Sequence, residues 1–245
     1  MTHKLYPDFA AAVADIPNGA TIAFGGFAMP GTPFNLIAAL VQQGARDLTL
    51  IANTTGGAQQ PRMPDIGMLV ERGQVRKVIC AFTAATRASD VLPFTKHYES
   101  GAVEAELVPQ GTLAERLRAA GAGIPAFYTP TAVGTELAEG RETREINGRT
   151  YLLEYALPVD YAFLRARRAD TEGNLQFHRA QRNFNPVMAT AATIAIVEVE
   201  EPILQAGAID PDAVHTSGIF VQRLVQIPPP PTGLWPQKRQ ERAAR

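Results

Sequence analysis

Short apolar runs recur along the chain at Thr21–Phe24, 47–52, Val75–Phe82, 103–108, 161–167 and 193–199. Thr21–Phe24 is partly β-branched, and 103–108 sets glutamates alternately against apolar residues; each run reads as a strand. The segments between them carry apolar positions at helical spacing. Residues 8–16 put Phe9, Val13 and Ile16 on one face, Phe34–Gln43 forms a longer helix, and another lies around 65–71. Residues 88–100 read as helical although Pro93 interrupts them, and 187–192 as a helix of small residues. Strands and helices alternating in this way predict an α/β fold with a mainly parallel open sheet and covering helices.

Asn147-Gly148 between two β-forming triplets adds a β-hairpin. Thr112 with Glu115 three residues on reads as a capping box opening a helix through Leu113, Leu117 and Ala120. Residues 124–135, with Pro125 and Pro130, read as a loop. Periodicity ends near residue 227. The prolines from Pro228 to Pro231 favour polyproline II and precede Trp235 and a basic run. The chain therefore divides into one domain over 1–227 and a proline-rich basic tail over 228–245, either frayed or docked through Trp235.

A chain of 245 residues can bury one sizeable core. At 46% hydrophobic and 19% charged it is apolar enough to favour burying surface against a partner. Lys+Arg at 23 against Asp+Glu at 24 gives no global electrostatic reason to bind nucleic acid or an anionic membrane. The single cysteine, Cys80, excludes an internal disulfide and reads as an inert core thiol in a reducing compartment. The start of the chain has no apolar export core and no run is long enough to span a bilayer, so a soluble, cytoplasmic protein is expected. His3, His97, His178 and His215 share no ligand spacing, and no metal is expected.

The loop Gly25-Gly26-Phe27-Ala28-Met29-Pro30-Gly31 joins the first strand to the helix Phe34–Gln43. Its glycines let a ligand approach the backbone, and the unpaired amides opening the helix attract phosphate or carboxylate. Tight strand–helix packing without a ligand would use the same residues. The spacing is not a dinucleotide fingerprint, and there is no Walker lysine. Asn53 follows the second strand and Gln110 the fourth, so both belong to the rim at the carboxyl ends of the sheet.

The order Asn18-Gly19, an apolar run, Gly25-Gly26-Phe27, Gly31 and Pro33 resembles the signature of the first, A-type subunit of class I coenzyme A transferases. Pro109-Gln110-Gly111-Thr112, Phe127-Tyr128-Thr129-Pro130, Tyr151-Leu152-Leu153-Glu154 and Asn183-Phe184-Asn185-Pro186 follow in family order, so the likeness extends to about Ile227. It implies the CoA-transferase family I fold and a first subunit of an enzyme that moves CoA between an acyl-CoA, such as succinyl-CoA or acetyl-CoA, and a 3-oxo acid. It implies CoA contact by Gly25, Gly26, Phe27, Ala28, Met29, Pro30 and Gly31, an oxyanion donor at Gln110 and a polar site group at Asn53. Coenzyme A is then a substrate, and no cofactor is held permanently.

The resemblance places the nucleophilic glutamate, which becomes a glutamyl-CoA intermediate, in a Ser-Glu-Asn-Gly stretch of a second, B-type CoA-transferase subunit. That stretch is absent here, so the expected assembly is a heterotetramer with two copies of each type. Glu145 belongs to the Asn-Gly hairpin, and Glu198, Glu200 and Glu201 read as a solvated strand edge. Ala28-Met29-Pro30, Thr54-Thr55 and 82–86 depart from the family pattern near the acyl pocket, which leaves the acid pair open. Two other readings stand beside the transferase. One is a hydrolase or ring-opening component for CoA thioesters on the same fold, whose glutamate would replace a residue of Ala81-Phe82-Thr83. The other is a non-catalytic metabolite sensor.

Overall fold

The structure, a computed structural model, describes residues 4–57, 63–85 and 91–228. The tail with Trp235 and the first part of the 88–100 segment lie outside the described residues. In chain order the elements are β1 (Leu5–Tyr6), α1 (Phe9–Val13), β2 (Thr21–Phe24), α2 (Phe34–Gln43), β3 (Leu48–Thr54) and α3 (Ile66–Glu71). Then come β4 (Val75–Phe82), α4 (Pro93–Glu99), β5 (Glu104–Leu107), α5 (Gln110–Gly121), β6 (Ala126–Thr129), β7 (Thr143–Ile146) and β8 (Arg149–Tyr155). The chain continues through β9 (Val159–Ala166), β10 (Arg168–Ala169), β11 (Leu175–Gln176), α6 (Asn185–Ala191), β12 (Ala192–Val199) and β13 (Arg223–Gln226).

Among the described residues these form an eight-stranded sheet in the order β1-β13-β12-β9-β2-β3-β4-β5, with every pairing parallel. From β2 the chain builds outward through β3, β4 and β5, then returns at β9 and builds the other way. The seam between β2 and β9 is thus the switch point, where open parallel sheets bind their ligands. Both faces are covered. Tyr161 and Phe163 of β9 join Leu36, Ile37, Leu40 and Leu69 of the helices on one side. Ala162 and Leu164 join Leu113, Leu117 and Met188 of α5 and α6 on the other. Burial on both faces explains why the inner strands β2, β3, β9 and β12 read as nearly continuous apolar runs, whereas edge strand β5 alternates with glutamates.

The parallel sheet and its helices match the expected architecture, and so does the hairpin. Asn147 (φ 53°) and Gly148 (φ 74°) both take left-handed angles in the β7–β8 turn, as a two-residue hairpin requires. Other expectations are corrected. Part of the 124–135 loop is strand β6, which pairs antiparallel with β8 despite its flanking prolines. Thr112 is not a cap. Helix α5 starts at Gln110 behind Pro109, which puts Thr112 buried inside the first turn and leaves Glu115 to pair with Arg118. Pro93 does not interrupt α4 but opens it, where a missing N–H costs nothing. Strands β1 and β13 are too short and mixed to be legible alone, and they form by parallel pairing at the sheet edge.

The largest correction concerns Glu198. It is fully buried, not solvated. Its carboxylate accepts the backbone N–H groups of Asn35 (2.9 Å) and Leu36 (3.1 Å) at the start of α2, and Arg165 Nη1 lies 3.2 Å away. Burial pushes the Glu198 carboxyl up to about 7, while Arg165 and the α2 donors keep it from rising further. The folded group titrates near 7 against an ordinary 4.5, so the folded chain holds this proton more tightly. Its contribution is intact below pH 4.5 and is lost as pH rises to 7. Glu198→Gln should therefore gain stability relative to wild type across that window, by up to roughly 3 kcal/mol in chemical denaturation. A constant difference between the two proteins over the same pH range would contradict this.

Candidate functional site

A cavity of about 420 Å³ opens at the carboxyl ends of β2, β3 and β4. Gly25, Gly26, Phe27 and Ala28 line it from the loop after β2, and Asn53, Thr54 and Thr55 line it from the end of β3. Ala81 and Phe82 come from β4 and Gln110 from the first residue of α5. The sequence-predicted groups thus meet in one place, with three exceptions. Met29, Pro30 and Gly31 do not line the cavity: Met29 is exposed, the Pro30 carbonyl accepts from Phe27 N–H, and Gly31 packs against Gln181 and Asn185.

Two asparagines shape the loop. Asn183 Oδ1 accepts from Gly26 N–H (3.1 Å), and its Nδ2 donates to the Pro30 carbonyl (2.8 Å). Buried Asn185 accepts from Arg165 N–H (3.0 Å) and donates to the carbonyls of Gly31 (3.2 Å) and Gln181 (2.9 Å). Any Cβ on Gly25 would stand 2.1 Å from Asn185 Oδ1, so glycine is needed there for approach. Gly26 needs its freedom for angle as well, at φ 113°. Ala28 lacks that freedom and still sits at φ 54°, held by Thr32 Oγ1 donating to its carbonyl (2.7 Å). Such an angle costs a residue with a Cβ about 1–2 kcal/mol. The Asn-Phe-Asn-Pro stretch was visible in the sequence as a family likeness, but its role as a brace was not.

Among the described residues, the polar groups inside the cavity are neutral except for Asp65. Gln110 Nε2 donates to Asn53 Oδ1 at 2.7 Å. That bond fixes which end of each amide points where, and it leaves Asn53 Nδ2 and the second Gln110 N–H as available donors. Among the described residues the one charged side chain on the cavity wall is Asp65, and its carboxylate accepts from Gly57 N–H (2.7 Å) and Gly67 N–H (3.0 Å). It pins the glycines after β3 to the start of α3. Sequence reasoning did not single it out, although an Asp just before a helix is an ordinary cap signal. Cys80 lies in the core beneath, and burial pushes its thiol up to about 11, which suits the inert role expected of it. The start of α2, read from sequence as an anion site, already holds an anion: the Glu198 carboxylate.

The family described as Coenzyme A transferase matches residues 6–226. The chain is 48% identical over 229 residues to the first, A-type subunit of 3-oxoadipate CoA-transferase from Pseudomonas putida, across 93% of this chain and 95% of that one. It is 48% identical over 223 residues to the corresponding subunit of succinyl-CoA:3-ketoacid coenzyme A transferase from Xanthomonas campestris pv. campestris, across 91% and 88%. Among solved structures, glutaconate coenzyme A-transferase from Acidaminococcus fermentans matches with a TM-score of 0.77 at 25% identity, over 92% of this chain and 76% of that one.

The brace makes a thermodynamic demand that can be measured. Gly25→Ala should cost about 1–3 kcal/mol by overpacking against Asn185. In an Asn185→Ala background, where the obstruction is gone, the same change should cost at least ~1 kcal/mol less. Additive losses in the double-mutant cycle would mean that Gly25 and Asn185 do not constrain each other.

Proposed function

Because the chain belongs to the coenzyme A transferase family, as a first subunit of the 3-oxoacid type, we propose that it moves CoA between an acyl-CoA and a 3-oxo acid within a heterotetramer of two such chains and two partner subunits. One observation carries the reading. The cavity gathers neutral amide donors on a glycine-built rim, while Asp65, its one carboxylate among the described residues, is engaged by backbone N–H groups. Such a wall can stabilise an oxyanion, but among the described residues it offers no nucleophile of its own. The partner subunit supplies that glutamate.

The chemistry follows from these parts. The partner's glutamate attacks the thioester carbonyl and releases CoA thiolate, leaving a mixed anhydride. The thiolate then attacks the glutamyl carbonyl, releases the first acid and forms the glutamyl-CoA thioester. The incoming carboxylate reverses the sequence and leaves with CoA. Every acyl transfer passes through a tetrahedral oxyanion, for which fixed neutral donors lower the barrier. Asn53 Nδ2 and Gln110 Nε2 fill that role, with each amide orienting the other through their shared hydrogen bond. Neutral donors also avoid trapping an acid substrate in an ion pair. Coenzyme A passes Gly25, Gly26, Phe27 and Ala28 as a substrate.

The chain alone should show no transferase activity, and turnover should appear on mixing with its partner subunit. Full activity in the rigorously purified single chain would overturn the half-site reading. In the complex, Gln110→Ala should lose roughly 10²–10³ in kcat with little change in KM for the acyl-CoA. Asn53→Ala should behave alike, and the double variant should lose little beyond the worse single one, because the two amides act as a unit. A rise in KM alone would make both residues binding groups. Thioester hydrolysis without transfer to a second acid would favour a hydrolase on this fold.

A further inference from the structure

Coenzyme A carries a pyrophosphate and a 3′-phosphate as well as its thiol, and those charges need a cationic seat. The cavity does not provide one, since no lysine or arginine lines it among the described residues. The start of α2 does not either, because Glu198 occupies its N–H groups. The outer flank of the glycine loop differs. There the turn Arg179–Gln181 and the residues after it are fastened to the loop. Asn183 Nδ2 donates to the Pro30 carbonyl at 2.8 Å, and a Cβ on Gly31 would stand 2.5 Å from the Gln181 carbonyl.

Most charge on this flank is paired. Arg165 meets Glu198 and Glu200, and Arg167 and Arg168 both meet Glu201. Arg179 and Arg182 are left over. Both are exposed, with no carboxylate partner among the described residues. Arg179 is held at φ 50°, an angle that a residue with a Cβ adopts only when its surroundings impose it. The Arg182 charge, after burial, helps to hold His215 below its ordinary range. On the loop, beside Pro30, Phe27 (47% exposed) and Met29 (48%) present apolar side chains to solvent.

We propose that Arg179 and Arg182 form a subsite for the phosphates of coenzyme A on the outer flank of the glycine loop, an assignment that rests on the transferase reading. Guanidinium forks match phosphate oxygens and remain charged at every working pH. Phe27 and Met29 then lie along the path of the pantetheine arm from this subsite to the cavity.

The test uses the assembled complex with its partner subunit, carrying Arg179→Gln/Arg182→Gln in this chain. KM for the acyl-CoA should rise roughly 10–100-fold, the weight of one or two charge-assisted hydrogen bonds. KM for the free acid should stay where it is. Adenosine 3′,5′-bisphosphate should compete with acyl-CoA in the unaltered complex and weaken by a similar factor in the variant. Acyl-pantetheine, which lacks these phosphates, should not register the double change, and Arg179→Lys/Arg182→Lys should recover much of the acyl-CoA affinity. An unchanged KM for acyl-CoA overturns the subsite. So does an equal loss with acyl-pantetheine, which would mean the loop itself was disturbed, or a rise in KM for the acid alone, which would mark a carboxylate site. If the unaltered complex transfers no CoA, the functional reading falls separately, and calorimetric titration with adenosine 3′,5′-bisphosphate still decides the subsite.

Discussion

The hydrogen bonds of a buried glutamate, Glu198, tie the two wings of the sheet together. Glu198 projects from β12, in the wing that builds away from β9, and reaches the first N–H groups of α2, which follows β2 in the opposite wing. Helix starts leave N–H groups without intrahelical partners, and burying them unpaired would cost about 1–3 kcal/mol each. The glutamate satisfies two of them, and Arg165 from β9 balances its charge. Strand, helix and neighbouring strand are thereby fixed relative to one another where the direction of sheet growth reverses. The glycine loop runs across this seam, from β2 to α2. Its shape depends on the same residues, because the backbone N–H of Arg165 also holds Asn185.

This arrangement divides the labour around the site. Helix α2 is neutralised from within, so it serves as a rigid support and not as an anion cradle. Asn183 and Asn185 grip the loop from its outer side, and the inner side of its first residues is left open to the cavity. The strain at Ala28 is tolerated because Thr32 and the surrounding turn determine the backbone there. Among the described residues that line the cavity, amides and hydroxyls predominate, and Asp65 carries the one charge. On the proposed reading, such donors suit an acyl-transfer oxyanion and hold no acid in a strong ion pair.

Sequence by itself determined a good deal. The apolar runs located the inner strands, because strands buried on both faces must be apolar at nearly every position. Asn147-Gly148 set the hairpin, since few other pairs accept two left-handed residues. The glycine loop, Asn53 and Gln110 were assigned to one rim because parallel strands all present their carboxyl ends to the same side. Tertiary structure alone decided the rest. Glu198 looks like an edge residue in a Glu-rich run, and only the return of the chain at β9 and β12 brings it beneath α2, more than 160 residues away in sequence. Strands β1, β6 and β13 carry too little local signal and exist through long-range pairing. Gly25 is dictated by the Asn185 side chain 2.1 Å from where its Cβ would be, a contact no local pattern reveals. Periodicity records what one element does with its own faces. Which distant side chain closes a helix end or braces a loop is set by how those elements pack.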